Sequence, residues 1–98
     1  QAQAEVCLDL SGRPFFVYTF EHEQHYIRDF DVMIIKHFWR SFADAAQMNL
    51  HIELRFGEDL HHCVEAVFKA VARAMRMACA NDPRALDQVP SSKGRLGA

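Results

Sequence analysis

From Ala4 to Leu10 the chain alternates, with Ala4, Val6, Leu8 and Leu10 apolar and Glu5, Cys7 and Asp9 between them. A period of two marks a strand with one buried face. Ser11-Gly12-Arg13-Pro14 carries turn chemistry. Phe15 to Phe20 is aromatic and β-branched, a second strand, and the two strands are expected to pair as a hairpin. Glu21 to Asp29 is polar and reads as a loop. The period then lengthens. Asp31 is the expected N-cap of a helix starting at Val32, and Ile34, Ile35, Phe38, Trp39, Phe42, Ala45 and Ala46 share its apolar face. Alternation returns near Asn49, where Leu50, Ile52, Leu54 and Phe56 are interleaved with His51, Glu53 and Arg55. Gly57-Glu58 turns the chain. Asp59 is expected to cap a second helix from Leu60 to about Ala80, with Val64, Val67, Phe68, Val71, Met75 and Ala78 as its stripe. Asn81-Asp82-Pro83 stops that helix, and residues 81–98 read as a C-terminal loop.

The order is strand, strand, helix, strand, helix, and each element has one apolar face. A two-layer α+β sandwich buries all of those faces at once. The 98 residues are expected to form one domain, and eight Phe, two Tyr and one Trp supply it with a core. No repeat or low-complexity segment interrupts it.

Charge and cysteine content narrow the classes. A net charge of -2 argues against nucleic acid as the main partner, because phosphate binding wants a basic surface. Cys7, Cys63 and Cys79 are odd in number and match no zinc spacing, which fits reduced thiols in a cytoplasmic protein. No apolar run approaches the ~20 residues of a membrane span, so no membrane partner is expected. The chain starts at Gln1 without a signal-like segment and enters strand-like sequence almost at once, which reads as a piece of something longer.

Six histidines in this length direct attention to where they fall. The informative run is Gly57-Glu58-Asp59-Leu60-His61-His62-Cys63-Val64-Glu65. Successive helical residues are about 100° apart around the axis. His61 and Glu65, four apart, share a face and can grip one ion. His62 and Glu65, three apart, can do the same, and the sequence leaves both pairings open. Adjacent imidazoles pointing in different directions suit two metals better than one closed tetrahedron. His51 lies on the polar register of the preceding strand, and a tight turn is expected to bring it near the first helical turn. Such a nitrogen and oxygen donor set suits manganese, iron, zinc or nickel. Alone, a His pair followed by Glu is more often a solvated helix start, and the polar His51 is what strengthens the metal reading. His22 and His25 in the polar loop and His37 on the polar side of the first helix are read as surface residues.

Cationic groups form a second set. Lys69 continues the His61–Glu65 stripe, Arg13 sits in the first turn, and Ser91, Ser92 and Lys93 lie in the C-terminal loop. Lys, Arg and Ser all donate to phosphate oxygens. Each taken singly is more often solvated surface, and Arg73 and Arg76 are read that way outright.

The segment His61-His62-x-x-Glu65-Ala66-x-Phe68-Lys69-Ala70 resembles the second metal-binding motif of the imidazoleglycerol-phosphate dehydratase family. Leu10-Ser11-Gly12-Arg13-Pro14, Phe30-Asp31, Phe38-Trp39-Arg40-Ser41-Phe42, Leu50-His51-Ile52 and Pro90-Ser91-Ser92-Lys93-Gly94 resemble it in the same order, so the likeness covers nearly the whole chain. The resemblance implies a protein of two similar halves, with this chain the second, carboxy-terminal repeat. It implies for each half the fold of the second domain of a ribosomal small-subunit protein. It further implies trimers assembled into a 24-subunit homo-oligomer, with two Mn(2+) ions per site between subunits. The implied metal ligands are His51, His61, His62 and Glu65. Arg13, Lys69, Ser91 and Lys93 are the implied contacts to substrate phosphate, with Ser92 in the same loop. The implied reaction belongs to histidine biosynthesis: imidazoleglycerol phosphate loses water to give imidazoleacetol phosphate, its ring held between the metals as an imidazolate. The first half, absent here, is expected to carry the general acid/base, so no catalytic base is assigned and the fragment alone is expected to be inactive. Asp59 stands where many relatives have Asn, and both cap helices.

A rival reading is a noncatalytic metal-binding or protein-interaction domain. A weaker one is an RNA-binding module, suggested by the fold and opposed by the charge.

Overall fold

Leu50 and Ile52 are 0 and 1% exposed, and the fold is organised around the strand that carries them. The computed structural model describes residues 1–81. The elements are β1 (Ala2–Asp9), β2 (Phe15–Thr19), β3 (Tyr26–Ile27), β4 (Phe30–Asp31), α1 (Met33–Ala46), β5 (Asn49–Gly57) and α2 (Leu60–Asn81). β5 is the middle of a three-stranded sheet of order β1-β5-β2. It runs antiparallel to β1, with Leu8 opposite Leu50 and Cys7 opposite His51, and parallel to β2, with Val17 opposite His51. Both helices pack on one face of the sheet, giving the two-layer α+β sandwich.

The expected β1–β2 hairpin does not form. The strand with the most deeply buried side chains takes the centre, where it has a partner on each edge. Instead of closing a hairpin, the 11–14 turn is tied to the connection between α1 and β5. Gly12 N–H donates to the Gln47 carbonyl at 3.0 Å and Phe15 N–H to the Met48 carbonyl at 3.2 Å. Gly12 sits at φ 86°, a conformation that favours glycine. β2 and β5 can then be parallel because α1 crosses between them.

The expected loop at 21–29 holds part of a small hairpin, β3 pairing with β4. Its two-residue turn places Arg28 at φ 57°, the positive φ that short hairpins require. α1 starts at Met33, one residue later than expected. The N-cap is Val32 rather than the expected Asp31, and Asp31, one residue earlier, still accepts from Met33 N–H through Oδ1 at 2.9 Å. At the other end Gln47 is left-handed (φ 53°) and Met48 N–H returns to the Ala43 carbonyl, which turns the chain into β5.

The helix faces are rotated from the expected stripes. On α1 the buried residues are Trp39 and Ala43, while Ile34 and Phe38 are half exposed and Ala45 and Ala46 are exposed. On α2 the buried face is Leu60, Cys63, Val67, Ala70, Val71 and Cys79. Small Cys and Ala side chains let the helix approach the sheet. Phe68 lies at the margin, where it packs on Trp39 with ring centroids 4.7 Å apart and joins the two helices.

Candidate functional site

The site begins with a close approach. At Gly57, where β5 ends, an added Cβ would overlap Cys63 Sγ and come within 2.8 Å of Ala2 Cβ. Glycine therefore lets the first turn of α2 sit down on the β1–β5 edge. Asp59 then caps the helix as expected. Its Oδ1 accepts from His62 N–H at 3.2 Å and its carbonyl from Cys63 N–H at 2.9 Å. The His62 N–H, more than any other group, holds the Asp59 carboxyl below the usual carboxylate range. Burial, aided by the Asp59 charge, pushes the Cys63 thiol up, so this cysteine is an uncharged wedge under the turn.

With Cys63 and Leu60 pointing inward, His61, His62 and Glu65 must point outward, and all three are exposed. His61 Nε2 lies 3.8 Å from Glu65 Oε2. That is too long for a hydrogen bond. It lies within the roughly 3–4 Å spanned by two donors each about 2.1 Å from one ion. His62 turns away, its ring 68° from that of His61 and its Nδ1 3.9 Å from Asp59 Oδ2. His62 and Glu65 nevertheless line one hollow with Lys69 and Arg73, bounded by the start of β1. Arg73, expected to be solvated surface, is thus a functional candidate. Its spacing of four from Lys69 was the available signal.

His51 is placed elsewhere. Its neighbours Leu50 and Ile52 face the helices, so strand alternation puts His51 on the opposite, helix-free face. There it lies beside Cys7, Val17 and Glu53, with the Phe15 ring 5.8 Å away. The expected convergence of His51 with the start of α2 does not occur within one chain. Among the described residues no three His, Cys, Asp or Glu side chains gather as a metal cage. Arg13 is also distant. It precedes the Asn49 end of the sheet, whereas α2 starts beyond Gly57, about 26 Å along β5 at ~3.3 Å per residue. Ser91, Ser92 and Lys93 lie outside the described residues, as does the 81–98 loop apart from Asn81, which ends α2.

His22 differs from its surface reading. Its Nε2 is 3.0 Å from the Glu58 carbonyl, and its Nδ1 is 3.0 Å from the Gln24 N–H. It joins the loop after β2 to the turn that carries the site.

The described residues thus form a two-layer α+β domain that exposes an imidazole–carboxylate pair at a helix start, with cationic side chains on the next turns. Comparison with known proteins gives the family. The family model for imidazoleglycerol-phosphate dehydratase matches residues 1–75. The chain is 45% identical over 92 residues to that enzyme from Azorhizobium caulinodans, covering 94% of this chain and 47% of the relative. It is 44% identical over 96 residues to the chloroplastic enzyme 1 of Arabidopsis thaliana, covering 98% and 36%. The crystal structure of the Staphylococcus aureus enzyme superposes with a TM-score of 0.76 at 33% identity, over 80% of this chain and 46% of that one. This chain belongs to the imidazoleglycerol-phosphate dehydratase family, and it spans about half the length of the curated bacterial relatives it matches.

Proposed function

We propose that this chain supplies one half of a manganese-dependent dehydratase site that eliminates water from imidazoleglycerol phosphate, giving imidazoleacetol phosphate in histidine biosynthesis. The observation that carries the reading is the His61–Glu65 pair, 3.8 Å apart and exposed, in a chain of this family. One imidazole and one carboxylate form a donor set that Mn(2+) accepts, and they leave the remaining coordination positions to other groups. His61, Glu65 and His62 would hold ions on the helix side of the sheet. His51, on the opposite face, would serve ions held by another polypeptide stretch, so the complete site needs the other half of the protein or further copies in a homo-oligomer of the trimer-based, 24-subunit kind. A bound divalent ion supplies Lewis acidity toward a coordinated imidazole.

The chain's other contribution is to hold the substrate. Lys69, with Arg73 one turn on, presents positive charge beside His62 and Glu65. Ser91, Ser92 and Lys93, and Arg13 from the far end of the sheet, would contact phosphate in the assembled protein. Fixing the phosphate away from the reacting carbons fixes the ring, and orientation of this kind supplies much of an enzyme's rate. Domain organisation follows the same reading: residues 1–98 are the second repeat, and proton transfer falls to a residue outside it. A biosynthetic enzyme family supports a cytoplasmic setting; no helix among the described residues is long and apolar enough to cross a membrane.

The test is a dehydratase assay on a full-length protein carrying this sequence, with and without Mn(2+). His61→Ala is expected to abolish metal-dependent formation of the ketone product. Retained activity would remove His61 from the ligand set.

A further inference from the structure

His22 lies in the polar stretch between β2 and β3, and both of its ring nitrogens are engaged. Gln24 N–H can only donate, so Nδ1, 3.0 Å from it, accepts. A neutral imidazole has one accepting nitrogen and one N–H. Nε2 is therefore the N–H, and it donates to the Glu58 carbonyl at 3.0 Å. A carbonyl can only accept, so the two contacts agree on a single tautomer. Glu58 directly precedes Asp59, whose carboxylate caps α2. His61 borders a hollow shared with Glu58, Asp59, Gln24, Tyr26 and Ile27, so the segment His22 anchors also flanks His61. That segment is closed at its other end, where Val32 N–H donates to the His25 carbonyl at 3.0 Å.

The geometry points to His22 as a positioning residue: as its Nε2–H tautomer it pins the β5–α2 turn and fixes where His61 is presented to a metal ion. The inference rests on the reading of His61 as a ligand. Groups that hydrogen-bond a ligand directly change metal affinity by about 10- to 100-fold. His22 acts one step further back, through the backbone, with two ordinary hydrogen bonds. Its loss is expected to weaken binding by roughly three- to tenfold. Gln at the same position keeps a side-chain N–H able to reach the Glu58 carbonyl, and is expected to restore binding to within about twofold of the native chain.

The experiment uses the 98-residue chain and Mn(2+) alone as the probe. Nitrogen-15 spectra of the imidazoles, taken where His22 is neutral, report its tautomer. Broadening of the His61 ring resonances during Mn(2+) titration reports binding at the ligand pair. The expected result is a fixed Nε2–H tautomer at His22, a weakened titration in His22→Ala and recovery in His22→Gln. An Nδ1–H or averaged tautomer would overturn the proposal, as would an unchanged titration in His22→Ala. If the native chain shows no broadening at His61, the ligand reading fails instead. The positioning role is then decided by the Asp59 to His62 amide shifts, which must move in His22→Ala and return in His22→Gln.

Discussion

His61 Nε2 and Glu65 Oε2 face each other across one turn of α2 at 3.8 Å, both well exposed to solvent. The pair stabilises the helix little, because exposed ion pairs contribute on the order of 0–1 kcal/mol. Its arrangement has more to offer a ligand than the fold. Removing either partner is therefore expected to leave the melting temperature nearly unchanged and to lower Mn(2+) affinity by at least about tenfold, comparable to or larger than the loss of a supporting group. Thermal scanning and calorimetric Mn(2+) titration of His61→Ala and Glu65→Gln against the native chain measure the two quantities. Unchanged affinity in both variants would detach the pair from metal binding.

Gly57 makes a packing prediction. An added Cβ would collide with Cys63 Sγ, which is fully buried, and lie 2.8 Å from Ala2 Cβ. Gly57→Ala is expected to cost about 1–3 kcal/mol, the usual penalty for overfilling a packed site. Urea unfolding reads this as a lower midpoint. Gly12→Ala serves as the contrast, since its Cβ meets no atom and only its φ of 86° opposes it.

Asp59 links stability to acid. Its folded pKa lies below the ordinary carboxylate value, chiefly because the carboxylate accepts from His62 N–H. A lowered folded pKa gives stability that is present above the unfolded value and lost as pH falls through the folded one. Asp59→Asn keeps a capping oxygen and removes the titration. Its stability is expected to fall less than that of the native chain through this acid range. Chemical unfolding of both chains at stepped acidic pH provides the comparison, and parallel losses would contradict it.

Tyr18 acts at the other end of the scale. It stacks between Phe16 on β2 and Phe20 just past its end, with ring centroids 5.6 and 5.7 Å away, and desolvation pushes its pKa up to about 12. The unfolded phenol titrates near 10. Stability is then fully present below about pH 10 and is lost as pH rises towards 12. Tyr18→Phe is expected to lose less stability than the native chain across that window. Equal losses in the two proteins would place the Tyr18 hydroxyl in water.

β1, β2, β5, α1 and α2 are legible in the sequence because each has one buried face and therefore a period. Strand order is not. The turn at 11–14 shows that the chain bends, but Leu50 and Ile52 decide which strand lies in the middle, and that depends on the whole core. The β3–β4 hairpin is not legible, because two-residue strands have no period and nothing in the residue type of Arg28 signals its φ of 57°. Hydrophobicity alone favours Phe68 for the buried face of α2, whereas close packing on a sheet favours the small Ala70 and Cys63. At the site, the outward face of α2 followed directly from spacing. The alternation that identified β5 also implied the true place of His51: a residue between two core positions must leave by the opposite face.

On the proposed function, His51 and the His61–Glu65 pair serve one kind of site from opposite faces of the sheet, so no single copy of this half brings them together. The most direct measurement is dehydratase activity of mixed oligomers, made by co-expressing His51→Ala and His61→Ala forms of a full-length protein carrying this sequence. Each variant alone is expected to lack Mn(2+)-dependent activity, while the mixture regains a fraction of it, because some sites collect both native histidines from different subunits. Full activity in either variant alone, or no recovery in demonstrably mixed oligomers, would contradict the account.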